Sequence, residues 1–381
     1  MSTARRAAGV TAAGIVLTLA AFAFDTAPLF VPGVAAVVIG VCAPAWVWAS
    51  AHGAHVQRRL LTERVVEGEP VEGIIEVRRG RLGLPGGEVL DPLAAAPVSL
   101  SRPLSLIAGG ATAQLRVVAR FARRGLRHLE PPTLLVSDTL GLATTTRAGT
   151  GPTQELLVLP RTEPVRWSAR HRAGRAEGSD ARAVEEPLAA VDIDGLRPYR
   201  VGSPASRIHW PAVARGAGLL ERRLRPDADT RPLIVLDARC HGPVEQLDAA
   251  VRAAASLALE LARAGGCRLL LPGERRAVAI EPDLSSWAGL HARLALVDGG
   301  PGTRGPVLGA GAKLGPVLYV AAEPPERLPA TLAAGGAART GLIVLPAEVA
   351  PRQLGPASLE VSGCHGYPLT ARTTKTAAWA A

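Results

Sequence analysis

The chain has 381 residues, of which 48% are hydrophobic and 20% charged, and this composition excludes disorder as its general state. Its formal charge of +10 suits nucleic acid, an anionic membrane or an acidic protein, and selects none of them. Lysine occurs only at Lys313 and Lys375, so the abundance of arginine reflects GC-rich coding as much as the needs of a ligand.

Two uncharged apolar segments, 7–24 and 29–51, follow one another at the start of the sequence. Each is close to the roughly 20 apolar residues that a helix needs to span the hydrocarbon core of a bilayer. Trp46 and Trp48 lie near the end of the second segment, where amphipathic rings favour the membrane interface. The sequence predicts a two-helix membrane anchor over residues 1–59. A signal peptide is the alternative for the first segment, although a second apolar segment directly after it disfavours cleavage.

Basic residues flank the anchor on both sides and predict its orientation. Because such residues are retained on the cytoplasmic side, we expect a multi-pass protein of the cell membrane with both termini and the globular part in the cytoplasm. The residues concerned are Arg5 and Arg6 before the first segment and Arg58, Arg59 and Arg64 after the second, whereas the connecting turn holds only Asp25. A reducing compartment also fits the four cysteines, which lack the spacing of a disulfide framework: Cys42, Cys240, Cys267 and Cys364.

Residues 60–161 contain short runs with strand-like alternation, bounded by Gly, Pro and Asp. In "AQLRVVARFARRG" the inward positions Leu115, Val117 and Ala119 alternate with polar ones, with an exception at Val118. Several such runs predict a small β-sandwich-like domain. A basic turn follows this run and is interpreted as a solvated face, with a binding surface as the alternative: Arg120, Arg123, Arg124 and Arg127.

The pattern changes after the β domain. Residues 162–190 are polar, charged and weakly periodic, which predicts a linker or flexible loop, and residues 191–230 form a distinct motif rich in arginine. Within 231–370 apolar strands such as "PLIVLDA" alternate with helices such as "VEQLDAAVRAAASLALELARAGG". This alternation predicts an α/β domain with a mainly parallel sheet and helices on both faces, followed by a tail at 371–381.

The segment "GLRPYRVGSPASRIHWPAVARGAGLLERRL" at 195–224 resembles the signature of the bacterial domain of unknown function 58 family. The two amino-terminal spans, "ARRGLRHLEPPTLLVSDTLGL" and "LVLPR" extend the resemblance over most of the chain. It implies a β domain followed by a von Willebrand factor A-like, Rossmann-like α/β domain. Since members are often encoded beside MoxR-type AAA+ ATPases and transglutaminase-like membrane proteins, it also implies an adaptor or scaffold that works with such an ATPase, by analogy alone.

Asp237 follows the first strand of the α/β domain, where an intact von Willebrand factor A domain has a D-x-S-x-S metal motif. Here Arg239 and His241 replace both serines, and Arg239 brings a positive charge beside any cation. We therefore expect Asp237 to be a degenerate metal position that pairs with Arg239 or caps the following segment.

Two Cys-His pairs, Cys240-His241 and Cys364-His365, raise a zinc hypothesis. Their spacing matches no structural zinc pattern, and neighbours on a strand point to opposite faces, so we expect no metal and no cofactor. The sequence contains no nucleophile elbow, zincin motif, phosphate-binding loop or dinucleotide fingerprint. Nothing orients Ser203, Ser206 and His209 as a nucleophile and its base, so we expect no catalytic residue and no enzyme.

The arginine-rich motif then has two interpretations. In the first it is a structural clamp, in which arginines bind Asp192, Asp194, Glu221 or backbone carbonyls while aromatic rings pack a domain junction. In the second some arginines face outward and bind an acidic partner or phosphate, with His209 as a further donor. The candidate interaction residues are Asp192, Asp194, Arg197, Tyr199, Arg200, Arg207, His209, Trp210 and Arg215.

Nucleic acid is disfavoured as a partner, because aromatic residues make up only 3% of the chain and no nucleic-acid motif is present. The function expected from the sequence is that of a membrane-anchored adaptor, with membrane proteins and a MoxR-type ATPase as partners. The alternative is a metal-dependent ligand binder or hydrolase that uses the strand ends near Asp237.

Overall fold

The computed structural model describes residues 3–94, 96–99, 112–168, 192–199, 208–216, 218–225, 231–300, 302–307, 315–325, 341–351 and 354–369. The chain divides into two compact units, Met1–Leu159 and Pro160–Ala381. Each unit has its own hydrophobic core, and we describe them separately.

Two apolar helices open the first unit, α1 (Thr3–Ala23) and α2 (Ala27–His52). Both are long and apolar enough to cross a membrane, by length and composition. The turn between them places Asp25 in the left-handed region, at φ 48°, which a short polar side chain tolerates better than most. The two helices predicted from the apolar segments are therefore present: α1 begins four residues earlier and ends one residue earlier than predicted, and α2 extends one or two residues beyond its predicted bounds at each end.

The two helices pack through small residues at heptad spacing. A side chain on Gly14 would meet the backbone of Gly33 and Val37 at 2.7 Å, and one on Gly40 would clash with the Thr11 hydroxyl. Small residues allow backbones to approach in this way, as in helix pairs within membranes. The buried positions of this contact are Ala7, Gly14 and Ala21 on α1 and Gly33 and Gly40 on α2.

The rest of the first unit is β-rich, as predicted. Its described strands form three small sheets, of order β1-β3-β6, β2-β10-β7 and β5-β4-β8-β9, around one core, whereas a simple sandwich has two. The strands are β1 (His55–Leu60), β2 (Arg64–Val66), β3 (Pro70–Arg78), β4 (Gly87–Leu90), β5 (Val98–Ser99), β6 (Thr112–Arg120), β7 (Gly125–Leu129), β8 (Thr133–Ser137), β9 (Thr144–Ala148) and β10 (Gln154–Leu159). In β6 the inward side is the predicted one, and Val118 is exposed on the other face.

A buried ion pair joins the three sheets. The Arg58 guanidinium donates to both carboxylate oxygens of Asp91 at 3.0 and 3.1 Å, to the Gln154 amide oxygen at 3.0 Å and to the Leu129 carbonyl at 2.9 Å. Arg58 is thus an interior residue of the β-rich part. Arg58 was expected among the charges that flank the membrane, and this expectation is wrong because its charge is neutralised inside the fold.

The basic turn after β6 also folds back on its own unit. Arg124 is buried, and its backbone N–H donates to the Glu67 carboxylate at 2.7 Å. The Arg127 guanidinium lies 5.9 Å from the centre of the Phe121 ring, within the range of a cation–π contact. The interpretation of these residues as a uniformly solvated face is therefore wrong for Arg124.

The second unit is built on an eight-stranded mixed sheet of order β11-β19-β20-β18-β17-β14-β15-β16, with a separate strand pair β12-β13. Its described strands are β11 (Arg166–Trp167), β12 (Asp192–Pro198), β13 (Leu220–Arg225), β14 (Leu233–Asp237), β15 (Cys267–Leu270), β16 (Val278–Ile280), β17 (Val317–Ala321), β18 (Leu342–Pro346), β19 (Leu359–Val361) and β20 (Cys364–Pro368). The described helices are α3 (Trp210–Ala214), α4 (Val244–Gly265) and α5 (Trp287–Ala295).

The prediction of a mainly parallel sheet is wrong. Only the central strands β15, β14, β17 and β18 run parallel, and the outer pairs β15-β16, β18-β20, β20-β19 and β19-β11 are antiparallel. The outer strands are two to five residues long, too short for a clear periodic pattern. Helix α4 packs on one face of the central strands.

The start of the predicted linker is attached to the second unit. The Trp167 indole N–H donates to the Glu260 carboxylate of α4 at 2.6 Å, and the Glu163 N–H donates to the Ser256 hydroxyl at 2.9 Å. Residues 169–190 and the tail at 371–381 lie outside the described residues.

Candidate functional site

The arginine-rich motif begins with the antiparallel pair β12-β13. The register places Asp192 opposite Arg225 and Arg197 opposite Glu221. Asp194 is the extra residue at a shift in register between Ile193 and Gly195, which is the arrangement of a β-bulge.

Two backbone hydrogen bonds close the middle of the motif. The Tyr199 N–H donates to the Leu219 carbonyl at 2.9 Å, and the His209 N–H donates to the Leu220 carbonyl at 2.8 Å. Because these carbonyls are consecutive, the structure brings Tyr199 and His209 to the same place at the start of β13. Arg200, Arg207, Ser203 and Ser206 lie between them, outside the described residues.

His209 has a local structural role as the cap of helix α3. Its Nδ1 accepts a hydrogen bond from the Ala212 N–H at 3.2 Å, which satisfies one of the donors that a helix start leaves open. Trp210 begins the helix and is 59% exposed, and Arg215 at its end is also exposed. The described part of the motif therefore presents an aromatic ring and a guanidinium to solvent on one short element.

A second group of polar side chains lies at the carboxyl ends of the neighbouring strands β14 and β17. The Tyr319 hydroxyl donates to Asp237 Oδ2 at 2.5 Å. The Arg239 guanidinium donates to the same carboxylate through Nε at 3.0 and 3.1 Å and through Nη2 at 2.6 Å, and the Arg239 N–H donates to Oδ1 at 3.1 Å. The predicted pairing of Asp237 with Arg239 is thus present in the structure.

Burial gives this group its electrostatic character. Asp237 is fully enclosed, while Arg239 retains 35% of its side-chain exposure. Burial, followed by the charge of Asp237, raises the pKa of the Tyr319 hydroxyl, and the hydrogen bond to Asp237 raises the pKa of Arg239. Both oxygens of the Asp237 carboxylate are engaged by donors, so a cation could bind there only by displacing the guanidinium.

Glu323 holds the loop beside this group. Its carboxylate accepts hydrogen bonds from the backbone N–H groups of His241 and Gly242, and it lies 3.0 Å from Nδ1 of His241. Burial opposes ionisation of Glu323, but the hydrogen bonds from Gly242 and His241 outweigh it, so its pKa lies below the usual value. Neither Tyr319 nor Glu323 was predicted as a site residue, although a charged residue directly after the apolar run "PVLYVAA" was an available signal for Glu323.

The two Cys-His pairs do not form a common site. Cys240 and Cys364 are both buried in the core on the α4 side of the sheet, whereas His241 is exposed and held by Glu323. Burial raises the pKa of the Cys364 thiol to about 12, which disfavours the thiolate that zinc requires. Among the residues that the structure describes, no three His, Cys, Asp or Glu side chains lie close enough together to hold a metal ion.

The chain matches no family model and no curated protein sequence. The resemblance based on the motif at 195–224 therefore stays a prediction.

Proposed function

We propose that the protein is a membrane-anchored adaptor that binds another protein through its second unit. The exposed apolar surface of the helix pair is the observation that supports membrane anchoring. Large apolar side chains such as Val16, Phe22, Val31 and Trp48 remain exposed along α1 and α2, and few residues of either span are buried. Hydrocarbon would cover this surface, whereas a helix pair of this character in water exposes a large apolar patch.

We further propose that both units lie in the cytoplasm. Arg5 and Arg6 before α1 and Arg59 and Arg64 after α2 support this orientation, even with Arg58 removed from the count. A reporter that is active only outside the cytoplasm, fused after Ala381, should be inactive, and a cytoplasmic reporter at the same position should be active. The reverse pattern would contradict the orientation.

We assign the second unit to the von Willebrand factor A-like fold and its partner to the MoxR-type AAA+ ATPases, and this assignment rests on the resemblance of the motif at 195–224. The mixed sheet with four central parallel strands is compatible with that fold. The contact surface proposed for the partner is the exposed end of the motif, Trp210 and Arg215, because an exposed aromatic ring beside a guanidinium is typical of interface anchors.

Co-purification of the full chain from membranes tests this proposal. Trp210→Ala combined with Arg215→Ala should remove a AAA+ ATPase that the wild type retains, with an unchanged unfolding temperature. The matched control is Leu296→Ala with Arg263→Ala, which also removes one exposed apolar side chain and one exposed arginine from the same unit. Absence of any AAA+ ATPase from the wild-type preparation would contradict the partner.

The polar group formed by Asp237, Arg239 and Tyr319 allows a test of the alternative function, that of a metal-dependent ligand binder or hydrolase. Calorimetric titration of the full chain with Mg²⁺ should give no binding that depends on Asp237, because Arg239 and Tyr319 already engage the carboxylate. Stoichiometric Mg²⁺ binding that Asp237→Ala abolishes would favour the ligand binder or hydrolase over the adaptor.

A further inference from the structure

A short loop between β8 and β9, residues 138–142, lies against the base of the helix pair. The Gly141 carbonyl accepts a hydrogen bond from the Arg6 guanidinium of α1 at 3.5 Å. Ala143, at the end of the loop, belongs to the same buried cluster as Val47 and Ala51 of α2. The loop therefore contacts α1, and Ala143 directly after it packs in the cluster that includes the end of α2.

The helix contacts give the depth of this loop. Gly40 of α2 packs against Ala7 and Thr11 of α1. Because the two helices run in opposite directions, Arg6 of α1 lies at the same depth as a residue about two or three positions after Gly40 on α2. A helical side chain leans toward the amino terminus of its helix, which brings the Arg6 guanidinium outward, toward the level of Trp46. Trp46 is exposed and its ring favours the membrane interface, so residues 138–142 lie at the interface as well.

The loop is ordered and presents an apolar side chain. The Asp138 carboxylate accepts hydrogen bonds from the Leu140 N–H at 3.0 Å and from the Ala143 N–H at 2.6 Å, and Gly141 adopts the positive φ of 67° that the turn requires. Leu140, between these anchors, is 63% exposed. A leucine held outward at the depth of an interfacial tryptophan is favourable when lipid covers it.

Arginines surround the same base a little farther from the helix pair. Gly80 packs so closely on Gly53, directly after α2, that a side chain on Gly80 would lie 2.6 Å from the Gly53 backbone. Gly53 follows Trp48 by five residues, which is about 7 Å along the helix direction. This distance brings Gly53 from the level of the tryptophan ring to the level of the lipid phosphates. Arg78 and Arg81 flank this contact and are exposed, as is Arg5 at the start of α1.

We propose that the base of the first unit is a lipid-binding surface: Leu140 inserts into the membrane interface, and Arg5, Arg78 and Arg81 bind the phosphates of anionic lipids. This inference rests on the proposed membrane anchoring. It adds that the β-rich part lies against the bilayer surface in a fixed position. Each arginine at an anionic surface contributes about fivefold in lipid affinity.

A fluorescent label tests the depth of the loop in the full chain, reconstituted in phosphatidylcholine vesicles with phosphatidylglycerol. Leu140→Cys in a Cys42→Ala background would carry an environment-sensitive dye, because the other three cysteines are buried. Lipids with a quencher near the headgroup should quench the dye at position 140. The matched control is Leu61→Cys, because Leu61 is an exposed leucine directly after β1. Strand β1 starts beside α2, and Leu61 lies about 20 Å from that start along the strand. A dye at position 61 should stay unquenched.

A third label, Val34→Cys on the exposed apolar side of α2, separates this inference from the anchoring on which it rests. If lipid quenchers act at position 34 and leave position 140 unaffected, the seating is wrong and the anchoring stands. If neither position is quenched, the anchoring itself fails. A blue-shifted but unquenched dye at position 140 would show that protein covers the loop, which also contradicts the proposal.

The arginine part has its own readout, the phosphatidylglycerol retained by the purified protein and counted by native mass spectrometry. Arg78→Gln with Arg81→Gln should lower the affinity for this lipid by about fivefold for each arginine. Arg59→Gln with Arg64→Gln, two exposed arginines of the same unit outside the base, should leave it unchanged. Equal retention by both double variants would overturn the phosphate contacts.

Discussion

At the residue scale, Tyr319 links two central strands through its bond to Asp237. We predict that Tyr319→Phe lowers the free energy of unfolding of the second unit by about 1.5–3 kcal/mol, because a buried bond to a charged acceptor is lost. Tyr367→Phe is the matched control and should cost less than about 1 kcal/mol, since its hydroxyl lies 3.4 Å from His365. Labelling of Cys240, Cys267 and Cys364, all buried in this unit, measures its unfolding in a Cys42→Ala background. Equal costs for the two variants would contradict this role.

His291 makes the stability of the second unit depend on pH. Burial lowers its pKa, and its Nε2 donates to the Pro160 carbonyl at 2.7 Å, which requires the neutral ring to keep a proton on that nitrogen. The unfolded chain, with a pKa of about 6.5, then binds this proton at a higher pH than the folded chain does. Stability is therefore fully present above pH of about 6.5 and falls as the pH decreases below it.

His291→Gln keeps an N–H donor without a titrating ring and should weaken this pH dependence. Reaction of the buried thiols with a dipyridyl disulfide, which works in mild acid, provides the measurement. An identical fall in stability for wild type and variant between pH 7 and pH 5 would show that His291 is not the group responsible.

At the element scale, the Arg58–Asp91 pair holds three sheets to one core. Its side chains are 1% and 0% exposed, so Asp91→Ala leaves a buried, unpaired guanidinium and should cost about 3–5 kcal/mol. Glu72→Ala breaks the exposed Arg116–Glu72 pair and should cost less than about 1 kcal/mol. Hydrogen exchange of β1 and β10 measures the difference, and comparable protection in both variants would refute the joining role.

The helix pair depends on its glycines. Gly40→Leu should separate α1 from α2, because no side chain fits against Thr11 and Ala7, whereas Gly9→Leu should have no effect because Gly9 has open space around it. Spin labels at Leu19→Cys and Val34→Cys in a Cys42→Ala background report the distance between the helices. A distance distribution that Gly40→Leu leaves unchanged would rule out the close packing.

Helices and strands with a clear hydrophobic periodicity could be predicted from the sequence. Those that depend on contacts with residues distant in sequence could not. Helix α4 and strand β14 follow the predicted runs within a few residues. Strands β8 and β9 are separated because the Asp138 carboxylate binds two backbone N–H groups and forms a turn between them. The edge strands that make the sheet mixed escaped prediction, since their pairing partners are remote in sequence.

At the scale of the whole molecule, the sequence predicted the two apolar helices, the β-rich character of the rest of the first unit and the α/β character of the second. The residues that bind one another across the chain could not be predicted. Arg58 looked like a charge at the membrane because its partner Asp91 lies 33 residues away. Tyr319 looked like an ordinary strand residue because Asp237 is its neighbour only through the sheet.

The central claim is that the uncleaved helix pair anchors this chain in a membrane. Alkaline carbonate extraction of membranes from cells that make the full chain, followed by the intact mass of the protein in each fraction, tests it most directly. We predict that the protein stays in the membrane pellet with both helices, Thr3–Ala23 and Ala27–His52, retained in its mass. Release into the supernatant, or a mass that lacks the first helix, would contradict the claim.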